Sequence, residues 1–95
     1  MIEHISLDGV EYPFLFSIRA SAEAGKIPSD NEFGQALKMV YLGFKYGAKA
    51  EGKDPPEFEK LVGIFDLHPE ELIKCQEVLT EQVGKLTKSL EKTSA

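Results

Sequence analysis

The chain has one cysteine, no block of basic residues, and no apolar run near the ~20 residues that cross a bilayer. A lone Cys75 excludes an intramolecular disulfide and fits a reducing compartment. The opening Met1-Ile2-Glu3-His4 has no Arg- or Lys-led apolar leader, so the expected location is the cytoplasm. Eleven basic residues stand against sixteen acidic ones, a formal net charge of -5. Such a balance disfavours nucleic acid and anionic membrane, both of which need concentrated positive charge. Eight glycines are present, but none forms a GxGxxG or Walker loop.

What is there reads as one domain, residues 1–95, with 42% hydrophobic and 28% charged residues. A chain this short buries only roughly 60–65% of its unfolded surface, so further burial against a partner matters.

The pattern predicts an α+β fold: mainly α with an N-terminal β-hairpin, and about four helices, the last one long. The hairpin covers residues 2–16 and the helical part 17–92, followed by a loose tail at 93–95. Asp8-Gly9 is a two-residue turn signal between period-two runs. Ile5 and Leu7 precede it, and Val10, Tyr12, Phe14 and Phe16 follow on one shared face. Pro13 places this strand at an edge or ends its regular pairing there. Ser17 caps a short first helix, Ile18 to about Ala24, which Gly25 stops. Residues 25–29 read as a loop.

Asp30 or Asn31 caps a second helix that reaches about Glu51. Its apolar face carries Phe33, Ala36, Leu37, Val40, Tyr41, Phe44 and Ala48. Gly43 and Gly47 lie where another element can come close. Asp54 and Pro55 start a third helix, to about Phe65, burying Phe58, Leu61, Val62 and Phe65. Asp66-Leu67-His68 forms a turn, and Pro69 opens the fourth helix, to about Lys92. Leu72, Leu79 and Leu86 recur there every seven residues, with Cys75, Val83 and Leu90 between them. Residues 69–92 make a rod of about 36 Å, slightly longer than the ~32 Å expected for the body. The distal leucine stripe is therefore expected to outrun the core and meet a partner.

Candidate chemistry is sparse. His68 lies among Asp66, Glu70 and Glu71, but metals need three or four converging ligands. Acids at a helix N-terminus are explained by the macrodipole. Cys75 reads as a small buried hydrophobe, with nothing to bring His4 beside it. The carboxylate pairs Glu57/Glu59, Asp66/Glu70 and Glu77/Glu81 read as solvated helix faces. Gly43-Phe44-Lys45-Tyr46-Gly47 has a basic, aromatic look, yet Phe44 faces the core and Tyr46 turns away from it. The aromatics Tyr12, Phe14, Phe16, Phe33, Tyr41, Phe44, Phe58 and Phe65 read as core, from which a binding face is not separable. The expectation is a non-enzymatic chain with no catalytic residue, metal or cofactor.

In order, the features are a short strand, an Asp-Gly turn, Val10-Glu11-Tyr12-Pro13-Phe14-Leu15-Phe16, and a helix opening Ser17-Ile18-Arg19-Ala20. Then come Leu42-Gly43-Phe44-Lys45-Tyr46-Gly47-Ala48 and a helix after Asp54-Pro55-Pro56. Over about residues 7–90 this resembles the tail assembly chaperones of long-tailed phages and prophages. The early break expected at Gly25 and the long leucine-rich last helix depart from that family's pattern. The resemblance implies a chain of the bacterial host cytoplasm. It would bind and solubilise the tape-measure protein and help recruit the tail tube protein. On that reading Tyr41, Phe44, Leu79, Val83, Leu86 and Leu90 are the candidate contact residues. Leucine heptads also allow a homo-oligomer. The alternative is a small acidic regulatory module of a mobile element, antitoxin-like or anti-repressor, that binds a protein factor.

Overall fold

A computed structural model describes residues 2–26 and 31–94, with side chains of the last helix described through Lys88. An antiparallel hairpin of β1 (Glu3–Leu7) and β2 (Val10–Phe14) is followed by four helices. These are α1 (Ile18–Lys26), α2 (Glu32–Ala50), α3 (Phe58–Leu67) and α4 (Pro69–Ser94). The fold is α+β and mainly helical, with a long final helix.

Leu7 pairs with Val10 across the turn, and Asp8 (φ 50) and Gly9 (φ 78) both take positive φ, as a type I′ turn requires. Counting from that closing pair, His4 and Pro13 form a non-hydrogen-bonded pair, so the missing proline N–H takes nothing from the ladder. Ile5 and Leu7 face the core, as do Phe14 and Phe16, whereas Val10 at the tip is exposed. Pro13 is buried as well, because the outer edge of β2 lies on α2. A Cβ on Gly47 would sit 2.5 Å from the Pro13 carbonyl oxygen, and one on Gly43 would overlap the Phe14 ring. The Leu15 N–H donates to the Gly43 carbonyl at 2.9 Å. The two glycines are thus where the hairpin seats.

Gln82 of α4 takes over on the opposite, inner side of β2, where β1 runs out at Glu3. Its side-chain Oε1 accepts from the Phe16 N–H at 2.6 Å, and its Nε2 donates to the Phe14 carbonyl at 3.3 Å. A buried amide thereby serves the strand as a neighbouring strand would. On β1, the Lys74 ammonium donates to the Ser6 carbonyl at 2.8 Å and occupies part of the free edge.

Helix boundaries differ from expectation in four places. The first helix runs through Gly25 to Lys26. Ala20 and Ala24 are buried, and Glu23 pairs with Lys45 of α2, which together outweigh a glycine cost of ~1 kcal/mol. Residues 27–30, part of the expected loop and one of the expected caps, lie outside the described residues; Asn31 caps α2 through its Oδ1 to the Gly34 N–H. The third helix starts at Phe58, not Pro55, because Pro56 holds Pro55 away from helical φ/ψ. It continues to Leu67, so the expected three-residue turn shrinks to His68, held extended by Pro69. At the other end, α4 includes Thr93 and Ser94 where a loose tail was expected.

Between these elements lies one apolar cluster drawn from β1, β2 and all four helices. Phe14 and Phe44 meet edge-to-face at 5.0 Å, and Tyr12 approaches Phe44 at 5.9 Å. A Schellman cap ends α2. The Lys53 N–H reaches the Ala48 carbonyl and the Gly52 N–H the Lys49 carbonyl, with Gly52 at φ 69.

Candidate protein-binding surface

The fourth helix decides which expected contact residues remain available. Leu72, Cys75, Leu79 and Gln82 form its buried stripe, and Val78 and Val83 pack against the same core. Leu79 is only 6% exposed, so the stripe is consumed internally to about Val83. The expectation that the distal leucine stripe outruns the core therefore does not extend to Leu79, which was counted among the contact residues. The molecule measures 45 Å along its longest axis, a length that includes the 26-residue, roughly 39 Å α4 itself. Leu86 is half-buried and, with Leu15, Phe16 and Gln82, lines a shallow cavity of about 470 Å³. The side chain of Leu90 lies outside the described residues.

On α2, Phe44 is fully buried against Phe14 and Tyr12, so it is a core residue rather than a contact residue. Tyr41 is half-buried, edge-on to Phe58 at 5.5 Å. Of the five expected residues with described side chains, Tyr41, Val83 and Leu86 keep accessible surface; Val83 and Leu86 neighbour each other on α4, whereas Tyr41 lies on α2 against Phe58.

Apolar surface is left over instead at the opposite end of α4. Pro69, Leu72, Ile73 and Gln76 follow at steps of three and four and share one face of that helix. Val62, Phe65 and Asp66 do the same on α3, and Phe33 and Leu37 on α2. The three faces enclose a groove of about 460 Å³. Phe33 is 64% and Ile73 57% exposed, so two large apolar side chains stand in water at its walls. Among the described residues, Asp66 is the one charged group lining it.

Sequence reasoning assigned Phe33 to the core because it continues the α2 stripe. Yet α2 begins at Glu32, one residue before it, and the core does not extend to that first turn. Ile73 was missed because it lies beside the leucine heptad rather than in it. The adjacent pair Leu72-Ile73 was the available signal, since neighbouring apolar residues broaden a helix's apolar face beyond one seam.

The groups considered for chemistry are dispersed. Cys75 is fully buried, and burial pushes its thiol up to about 12. His68 is exposed, with Nδ1 3.5 Å from Glu70. Among the described residues, no group of three or more His, Cys, Asp or Glu side chains could hold a metal ion. Likewise, no helix there is long and apolar enough to cross a membrane.

One polar cluster ties α1 to α2. The Lys45 ammonium donates to Glu23 at 3.1 Å, and the Tyr46 hydroxyl donates to the same carboxylate at 3.1 Å. The Lys45 bond holds the Glu23 carboxyl below its usual range, and the same contact raises Lys45. Glu51 is held low chiefly by the His4 ring 2.7 Å away, a link from hairpin to α2.

Comparison with protein-family models, curated proteins and solved structures gave no match to this chain.

Proposed function

We propose that this chain is a non-enzymatic chaperone of phage or prophage tail assembly, working in the bacterial host cytoplasm. On this reading it binds apolar helical segments of the tape-measure protein, keeps that protein soluble, and helps recruit the tail tube protein. The observation that carries the reading is the open apolar groove between α2, α3 and α4, with Phe33 and Ile73 exposed at its walls. An apolar groove of this kind suits an amphipathic helix laid along it. A net charge of -5 would add solubility to whatever is bound. The resemblance over residues 7–90 supports the same partner, a long helical chain whose exposed stripes aggregate when unpaired.

Co-expression with a tape-measure protein, expected on this reading to be encoded next to the chain, is the test. The wild-type chain should raise that protein's soluble fraction severalfold, and the double variant Phe33→Asp/Ile73→Asp should lose the effect. An unchanged soluble fraction with the wild-type chain removes the chaperone reading.

A further inference from the structure

Resting on that reading of the groove, we infer its specificity: it takes an amphipathic helix whose apolar stripe is flanked by lysine or arginine. The juxtaposition behind this is an apolar floor with an acidic rim. Leu37, Phe65 and Leu72 lie among the lining residues, with Phe33, Val62 and Ile73 beside them. Asp66 enters the lining itself. Glu70 and Glu77 are exposed on α4, three residues before and four residues after Ile73, and so on the same helix face. Glu59 is exposed on α3, three residues before Val62. Lys74, the nearest basic residue along α4, is turned toward the hairpin, where it holds the Ser6 carbonyl and Glu71. Among the described residues, no lysine or arginine lines the groove.

Charge also argues against a second copy as the occupant. Two chains of net charge -5 repel, and each would present acidic helices to the other's acidic rim. A partner helix with apolar residues at i, i+3, i+4 and i+7 and basic residues along both margins satisfies floor and rim together. Its ammonium or guanidinium groups would remain in solvent contact beside Asp66, Glu70 and Glu77. The rim therefore acts on choice and on capture rate more than on strength.

The test uses the full chain and three fluorescent helical peptides: a leucine stripe flanked by lysine and arginine, the same stripe flanked by glutamate, and the basic composition scrambled so that no stripe forms. The basic striped peptide should bind at least roughly tenfold more tightly than either control, and its advantage over the acidic one should shrink as salt rises. Ile73→Asp should weaken it by more than roughly tenfold. The triple exchange Asp66→Lys/Glu70→Lys/Glu77→Lys changes only exposed positions and should reverse the preference toward the acidic peptide. Equal binding of both striped peptides overturns the inference, as does binding that survives Ile73→Asp. Sedimentation showing a dimer that Ile73→Asp dissociates would make a second copy the occupant and overturn it too. Charge-selective peptide binding without rescue of the tape-measure protein would keep this inference and discard the chaperone reading; rescue without charge selection would do the reverse.

Discussion

Three helical glycines, Gly47, Gly63 and Gly84, make a matched set for testing how the hairpin is seated. Gly63 and Gly84 have nothing within 4 Å of an added Cβ. Gly63→Ala and Gly84→Ala should each stabilise by about 0.5–1 kcal/mol, the ordinary helix-propensity gain. At Gly47 an added Cβ would lie 2.5 Å from the Pro13 carbonyl oxygen, 2.6 Å from its carbon and 2.7 Å from the Phe14 nitrogen. These are backbone atoms, so a rotamer change cannot relieve the overlap; the hairpin must move off α2. Overpacking of this kind costs about 1–3 kcal/mol, and displacing Pro13 also strains the Leu15–Gly43 hydrogen bond, worth about 1 kcal/mol. Set against the propensity gain, Gly47→Ala should lose about 1–3 kcal/mol. Urea unfolding followed by circular dichroism reads the sign directly: higher midpoints for Gly63→Ala and Gly84→Ala, a lower one for Gly47→Ala. A Gly47→Ala chain as stable as Gly63→Ala would refute the seating of β2 on α2.

Gln82→Ala should cost about 1–3 kcal/mol, since it strands the Phe16 N–H in the interior and removes a second donor from the Phe14 carbonyl; urea unfolding measures it. The Glu23–Lys45 pair should show a coupling of about 0.5 kcal/mol in a double-mutant cycle near neutral pH. Glu23 is lowered in the folded state, so its contribution is present above the unfolded carboxylate range and is lost as pH falls through the folded value. Lys45 is raised, so its share is full below the unfolded lysine range and is lost only as pH rises through the folded value; the coupling should therefore fade on the acid side, once pH drops below the folded value of Glu23. With its thiol pushed up to about 12, Cys75 is ionised only to roughly one part in 10⁴ at pH 8, so a thiol reagent should label it at the rate of unfolding.

Local signals carried most of the fold. Asp8-Gly9 specified the turn, Pro69 the start of α4, and Gly43 and Gly47 the seat of the hairpin, because each depends on backbone sterics that sequence exposes directly. Boundaries set by competition were harder. Gly25 stops an isolated helix, but Ala20, Ala24 and Glu23 hold α1 to α2 past it. Asp54-Pro55 has the form of a helix start, and the second proline forbids it. The binding surface was legible as a type, leftover helical apolar area, but not as a place. Whether a stripe is spent internally depends on which elements lie beside it. Gln82, a polar residue inside the leucine stripe, is buried because it serves β2, and no periodicity announces that.

The central claim, that the groove at the start of α4 takes a partner's apolar helix, is tested most directly by methyl NMR of the chain titrated with a soluble tape-measure fragment. The account predicts that the methyl resonances of Leu37, Val62 and Ile73 shift together and saturate together, while those of Ile18, Val83 and Leu86 stay in place. Shifts centred on Val83 and Leu86, with Ile73 unmoved, would contradict it.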